Sequence, residues 1–249
     1  MNKLLQRSLA AIACALGIAV AQPAAAQIEI PGGLTLTLTP SVSSDYLFRG
    51  VSQTRNRGAV QATVDLQHET GFYIGAFVSN VAFQATDARQ EVDILGGYRF
   101  KVDALSVDLG AVGYVYPGYS APAGGFELSY FEVAAKLSYE FERVKLLGSA
   151  FYSPNFQLES RNAVYVEGGV EVKLPLDLTL AGRAGYQWID RNERYGLPNF
   201  ANWNVTLSRD FFGFLVTVGY FDTNVSKREC GGGQKICDAR AMVIVSHTF

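Results

Sequence analysis

Residues 163–174 read AVYVEGGVEVKL, and their pattern decides the fold. Val164, Val166, Gly168, Val170, Val172 and Leu174 alternate with Tyr165, Glu167, Gly169, Glu171 and Lys173. Successive side chains of a β-strand point to opposite faces, so a period of two describes a strand with one apolar face and one polar or small face. The same alternation recurs elsewhere. Leu34, Leu36 and Leu38 alternate with Thr35, Thr37 and Thr39, and Ala201, Trp203, Val205 and Leu207 with Asn202, Asn204, Thr206 and Ser208. Phe131, Val133, Ala135, Leu137 and Tyr139 alternate with Glu132, Ala134, Lys136, Ser138 and Glu140.

Twelve such runs fall near 33–43, 58–67, 71–82, 90–101, 104–116, 127–140, 143–153, 162–174, 177–189, 200–209, 212–223 and 239–249. The connections near 68–70, 102–103, 141–142, 175–176 and 210–211 are very short. Those near 44–57, 83–89, 117–126, 154–161, 190–199 and 224–238 are longer. Short turns at one end and long loops at the other are the layout of an outer-membrane barrel. A soluble sandwich also alternates, but its strands usually run about 5–6 residues, against about 9–11 for a tilted membrane strand. In lipid the sheet must also close, because no backbone group can be left unpaired. Aromatics near strand ends, at Tyr98/Phe100, Tyr114/Tyr116, Phe151/Tyr152, Tyr186/Trp188 and Phe211/Phe212, read as interfacial girdles, or in a sandwich as core. The expected fold is all-β, a transmembrane antiparallel β-barrel of about twelve strands.

Composition agrees. Of 249 residues, 18 % are charged, 49 % hydrophobic and 12 % aromatic, with a formal net charge of −2. Soluble domains carry about 25 % charged residues. Mean hydropathy is nevertheless only +0.10, which suits strands whose two faces average out. A near-neutral chain without a basic block excludes a nucleic-acid partner.

Residues 1–26 read as a signal peptide, with Lys3 and Arg7, the apolar run Leu9–Val20, and Ala24-Ala25-Ala26 before Gln27. Gln22 and Pro23 cut that run short of a membrane anchor. Residues 27–249 remain as a single barrel domain. Cys14 leaves with the leader, so Cys230 and Cys237 stay as an even pair around Gly231-Gly232-Gly233 and read as a disulfide in an oxidising compartment. The rival, a metal site, lacks further His or carboxylate ligands nearby. No cofactor motif occurs, and glycines such as Gly96, Gly97, Gly168, Gly169, Gly182 and Gly185 fall within strands, where they permit curvature.

Charged residues within the strands belong on the lumen side, since a charge facing the bilayer midplane costs about 2–4 kcal/mol. Glu91, Asp93, Arg99, Glu132, Lys136, Glu167, Glu171, Arg183 and Arg209 are therefore candidate lumen-lining residues, with Asp65, Asp108, Glu140, Lys173 and Arg240 beside them. Such a lining either selects small polar or charged solutes across an open pore or pairs internally and plugs a narrow barrel. The first long loop places Asp45, Tyr46, Phe48 and Arg49 together, near Arg55 and Arg57. It either constricts the lumen, binds lipopolysaccharide, or lies as a solvated surface loop with Tyr46 and Phe48 in the girdle. The last is the simplest expectation. An outer-leaflet lipid hydrolase would need a Ser–His pair there. The two histidines, His68 and His247, map instead to the short-turn end, so no catalytic residues are expected.

The stretches SVSSDYLFRGVSQT (41–54), GFYIGAFVSNV (71–81) and EVDILGGYRF (91–100) resemble the TorF family of proteobacterial porins. That resemblance implies an outer-membrane channel and no particular solute. The last strand also resembles those of other outer-membrane proteins, whose terminal aromatic, here Phe249, is read by the barrel-assembly machinery. His247 departs from that pattern. The partners expected are outer-membrane lipid and lipopolysaccharide, that machinery, and small solutes. Self-association into a homo-oligomer stays open, as does a structural or adhesive barrel acting through its loops.

Overall fold

Each alternating run forms a strand, within about three residues of its expected bounds. In the computed structural model, which describes residues 27–249, these are β1 (Leu34–Ser43), β2 (Ala59–His68), β3 (Phe72–Asn80), β4 (Gln90–Val102), β5 (Leu105–Val115) and β6 (Tyr130–Phe141). Then come β7 (Val144–Ser153), β8 (Ala163–Lys173), β9 (Leu178–Ile189), β10 (Phe200–Phe211), β11 (Phe214–Thr223) and β12 (Arg240–His247). The expected leader and its cleavage site lie outside the described residues. Every strand pairs antiparallel with the next, and β12 returns to β1 through Ile244 opposite Ser43, Val245 opposite Val42 and Ser246 opposite Ser41. The barrel is closed.

β12 and the residues after it pair with β1 as far as Leu38. Leu38 and Phe249 exchange backbone hydrogen bonds at 3.1 and 2.8 Å. Below them a short strand, Ile28–Ile30, pairs with Leu34–Leu36 in line with β12. Without it the first turn of β1 would present unpaired N–H and C=O groups.

The two faces separate as the alternation requires. Val60, Ile74 and Val205 are 70 %, 57 % and 52 % exposed on the outside, while Asn202, Asn204, Thr206 and Ser208 line the inside. Outward rings gather at the short-turn end, where Phe72, Tyr98 and Phe100 touch in sequence and His247 lies between Phe214 and Phe249. Tyr152, Tyr186 and Trp188 mark the other end. Tyr114, Tyr116 and Phe151, expected in the girdle, instead point inward; Tyr114 and Tyr116 are buried. They occupy the polar register of their strands, where other lumen groups cover them. At the turn after β2, Gly71 has φ +102°, and a Cβ there would lie 2.2 Å from the Arg99 carbonyl oxygen. Gly97 and Gly110 leave room for the Tyr73 hydroxyl across the inner wall.

Candidate functional site

The first loop is not on the surface. Leu47–Phe48 pairs with Val51–Ser52 as a small hairpin, and Tyr46, Leu47, Phe48 and Val51 are all buried. The expectation of a solvated loop fails because these apolar side chains bury both faces of the hairpin inside the barrel; each is worth about 1.5–3 kcal/mol. Asp45 anchors its base, with Oδ1 accepting from the Tyr46 N–H, the Ser52 hydroxyl and the Thr54 hydroxyl at 2.6–2.8 Å. Its Oδ2 pairs with Arg240 at 2.5 Å.

The tip, Arg49-Gly50, has φ of +49° and +83°, the left-handed pair that a two-residue hairpin turn requires. A Cβ on Gly50 would lie 2.6 Å from Thr223 Cγ2 and 3.0 Å from Asn202 Cβ, so the tip presses against β10 and β11. Arg49 meanwhile reaches across to β6 and β9, donating to Glu132 at 2.6 Å and to Gln187. Its guanidinium carbon lies 4.3 Å from the Tyr165 ring centroid, 4.5 Å from Phe48 and 5.1 Å from Phe151. Burial works against its charge, but the Glu132 carboxylate together with Tyr114 and Tyr130 more than offsets it and raises the guanidinium pKa. Tyr46 donates its hydroxyl to Glu91; burial, then the Glu91 and Asp93 charges, hold its pKa well above the usual phenol range. The hairpin therefore spans the lumen from wall to wall.

Nearer the short-turn end the lining closes on itself. Arg99 grips both Asp65 oxygens at 2.9 Å, reaches Asp108 at 3.4 Å and stacks 3.5 Å from the Tyr73 ring centroid. Arg183 bridges Glu171 at 2.7 Å and Glu167 at 3.4 Å, and Lys136 lies 5.5 Å from the Phe151 ring centroid. Glu140 and Lys173 pair at 2.6 Å on the water-exposed rim. One residue assigned to the lumen is misplaced. Arg209 shares the outward register of Trp203, Val205 and Leu207 and lies 5.1 Å from the ring of Phe211, so it belongs to the outer rim. At that depth a lipid-side charge costs only about 0–1 kcal/mol.

Residues 27–249 match the model of a family described as a bacterial protein of unknown function (Gcw_chp). The chain belongs to that family. Among curated protein sequences none matches. Solved structures with the same fold include the KdgM porin, at 11 % identity and a TM-score of 0.56, covering 86 % of this chain and 99 % of that one. The NanC porin aligns at 12 % identity and 0.56, covering 86 % and 98 %. A Pseudomonas aeruginosa FadL homologue aligns at 14 % and 0.53, covering 90 % and 76 %. At such identities the likeness is one of barrel fold.

This Gcw_chp barrel carries one further element that sequence reading did not connect to the lumen. Cys230 and Cys237 form a disulfide, and both are buried against Val51 of the hairpin together with Leu197, Phe200 and Val225. From the same loop the Ile236 carbonyl accepts the Ser52 N–H at 2.8 Å, and the Lys235 carbonyl accepts from Asn56 at 3.3 Å. The last loop thus clamps the first. His68 and His247 both lie at the short-turn end, the first bonded to Thr70 and the second to the Gly213 carbonyl. Among the described residues no group of His, Cys, Asp and Glu is arranged to hold a metal ion.

Proposed function

We propose that this protein is an outer-membrane channel for passive diffusion of small polar or charged solutes, constricted by its first loop. The observation that carries the reading is a closed barrel with an apolar outer face and an inner face that gathers most of the charged and polar strand residues. A polar interior sealed from lipid has a physical use when solutes or water pass through it. The resemblance to the TorF porins supports the same reading, as does the fold shared with the KdgM and NanC porins. Lipopolysaccharide then surrounds the barrel, and Phe249 is its signal to the barrel-assembly machinery.

In this reading the path runs along β10, β11, β12 and β1 on the short-turn side of the hairpin tip. Asn204, Thr206, Thr217 and Thr37 on these inner faces are uncharged, whereas Asp65 of β2 and the inner faces of β4 to β9 carry charges. A second reading, a structural or adhesive barrel of little conductance, is favoured by one observation: Tyr46 and Phe48 of the hairpin pack into the buried aromatic cluster inside the barrel, and Arg49 reaches Glu132. Single-channel recording of the refolded protein in planar bilayers separates them. Discrete conductance steps support the channel; a silent bilayer with correctly folded protein overturns it.

A further inference from the structure

The wall on which the hairpin rests holds more acid than the hairpin neutralises. Glu91 and Asp93 follow one another on the inner face of β4, and Glu132 faces inward from β6. All three are buried, Asp93 to 1 % and Glu132 to 0 % exposure. Glu91 accepts the Tyr46 hydroxyl. Glu132 Oε2 accepts from Arg49 and from the Tyr114 hydroxyl at 3.0 Å, but its Oε1 has no hydrogen-bond partner. Asp93 Oδ1 has none either. Three carboxyl groups thus face one guanidinium, which Glu132 and Gln187 already hold.

A buried carboxyl oxygen without a hydrogen-bond partner is disfavoured, so the missing donor points to a ligand. Its surroundings say which. Asp93 stands directly opposite Phe77 on β3 and Tyr114 on β5, so two rings flank its carboxylate. The hairpin lays Tyr46 on Phe77 and Phe48 on Tyr114, with ring centroids 5.7 and 5.9 Å apart, and so roofs the same spot. Acceptor oxygens among aromatic faces suit a cation that brings N–H donors. A divalent metal would want six or more oxygens, and the described residues offer no such group.

We propose that Asp93, with Glu132 Oε1 and the rings of Phe77 and Tyr114, binds a primary ammonium group beneath the seated hairpin. Ligand and hairpin then reinforce one another, because each favours the arrangement in which the other is bound. The site concerns the wall beneath the hairpin and holds whether or not the barrel conducts.

Thermal unfolding of the refolded full chain in detergent tests it, with methylammonium chloride compared against sodium chloride and tetramethylammonium chloride at equal ionic strength. Methylammonium is expected to raise the midpoint by about 2–4 °C over both. Asp93→Asn removes that response while leaving the barrel folded, Phe77→Leu weakens it, and the rim substitution Lys173→Ala leaves it intact. An equal response to all three salts overturns the site. So does a full methylammonium response in Asp93→Asn, or, should that variant not fold, in Phe77→Leu. A conducting barrel without the response overturns the site alone; a silent barrel with it overturns the channel alone.

Discussion

Arg99 and Arg49 are both buried guanidiniums facing carboxylates inside the same barrel, but they are held in different ways. Arg99 meets Asp65 and Asp108 from neighbouring parts of one wall, and Asp108 is its direct cross-strand partner. Arg49 arrives on a loop and meets Glu132 and Gln187 from across the lumen. The first arrangement is a property of the sheet and persists wherever the sheet persists. The second exists only while the hairpin is seated. In the proposed channel the lower layer braces the barrel, and the upper one sets the constriction.

Removing Tyr46–Gln53 in favour of a short Gly-Ser linker should break the comparison most plainly. Single-channel conductance is expected to rise several-fold while the barrel still folds; an unchanged conductance would mean the hairpin constricts nothing. Next in size is a matched pair of substitutions. Arg49→Ala leaves Glu132 buried and uncompensated, which costs about 3–5 kcal/mol and unseats the hairpin. Conductance should approach that of the deletion. Arg99→Met strands Asp65 and Asp108 at a similar cost, but should lower the unfolding midpoint with the small conductance retained. If both variants open the channel alike, the distinction between the two layers is wrong.

Replacing both cysteines by serine sharpens the role of the clamp. Opening so short a loop costs about 2–3 kcal/mol in the chain-entropy model, and the cost falls on the segment that packs against Val51. More frequent openings of intermediate size are expected, and a recording identical to the wild type would detach the clamp from the hairpin. The smallest effect belongs to Lys173→Ala. Its pair with Glu140 is exposed and worth about 0.2–1 kcal/mol, so both midpoint and conductance should stay within error.

The strands were legible because alternation is local. Each run carries its own two-faced pattern, and the register of residues 200–208 alone places Trp203 outside and Asn204 inside. The same register contained the answer for Arg209, which the general rule that charges face inward obscured. A charge near the end of a strand escapes that rule, because the interface tolerates it. The hairpin was not legible. SSDYLFRGVSQT has no alternation to follow, and its partners Glu132, Gln187, Asn202 and Thr223 come from strands far along the chain. The cysteines announced their pairing through spacing and number, but nothing in the spacing tied them to Val51.

Sequence by itself determined the number of strands, which face of each meets lipid, and which end carries the long loops. It could do so because hydrophobic burial and backbone pairing in lipid act on neighbouring residues in a fixed period. Only the tertiary structure decided what fills the lumen. Closing the sheet brings β6, β9, β10 and β11 around one small volume, and there a loop supplied the cation that Glu132 requires and left Asp93 without one. That outcome depends on distances across the barrel, which no local pattern encodes.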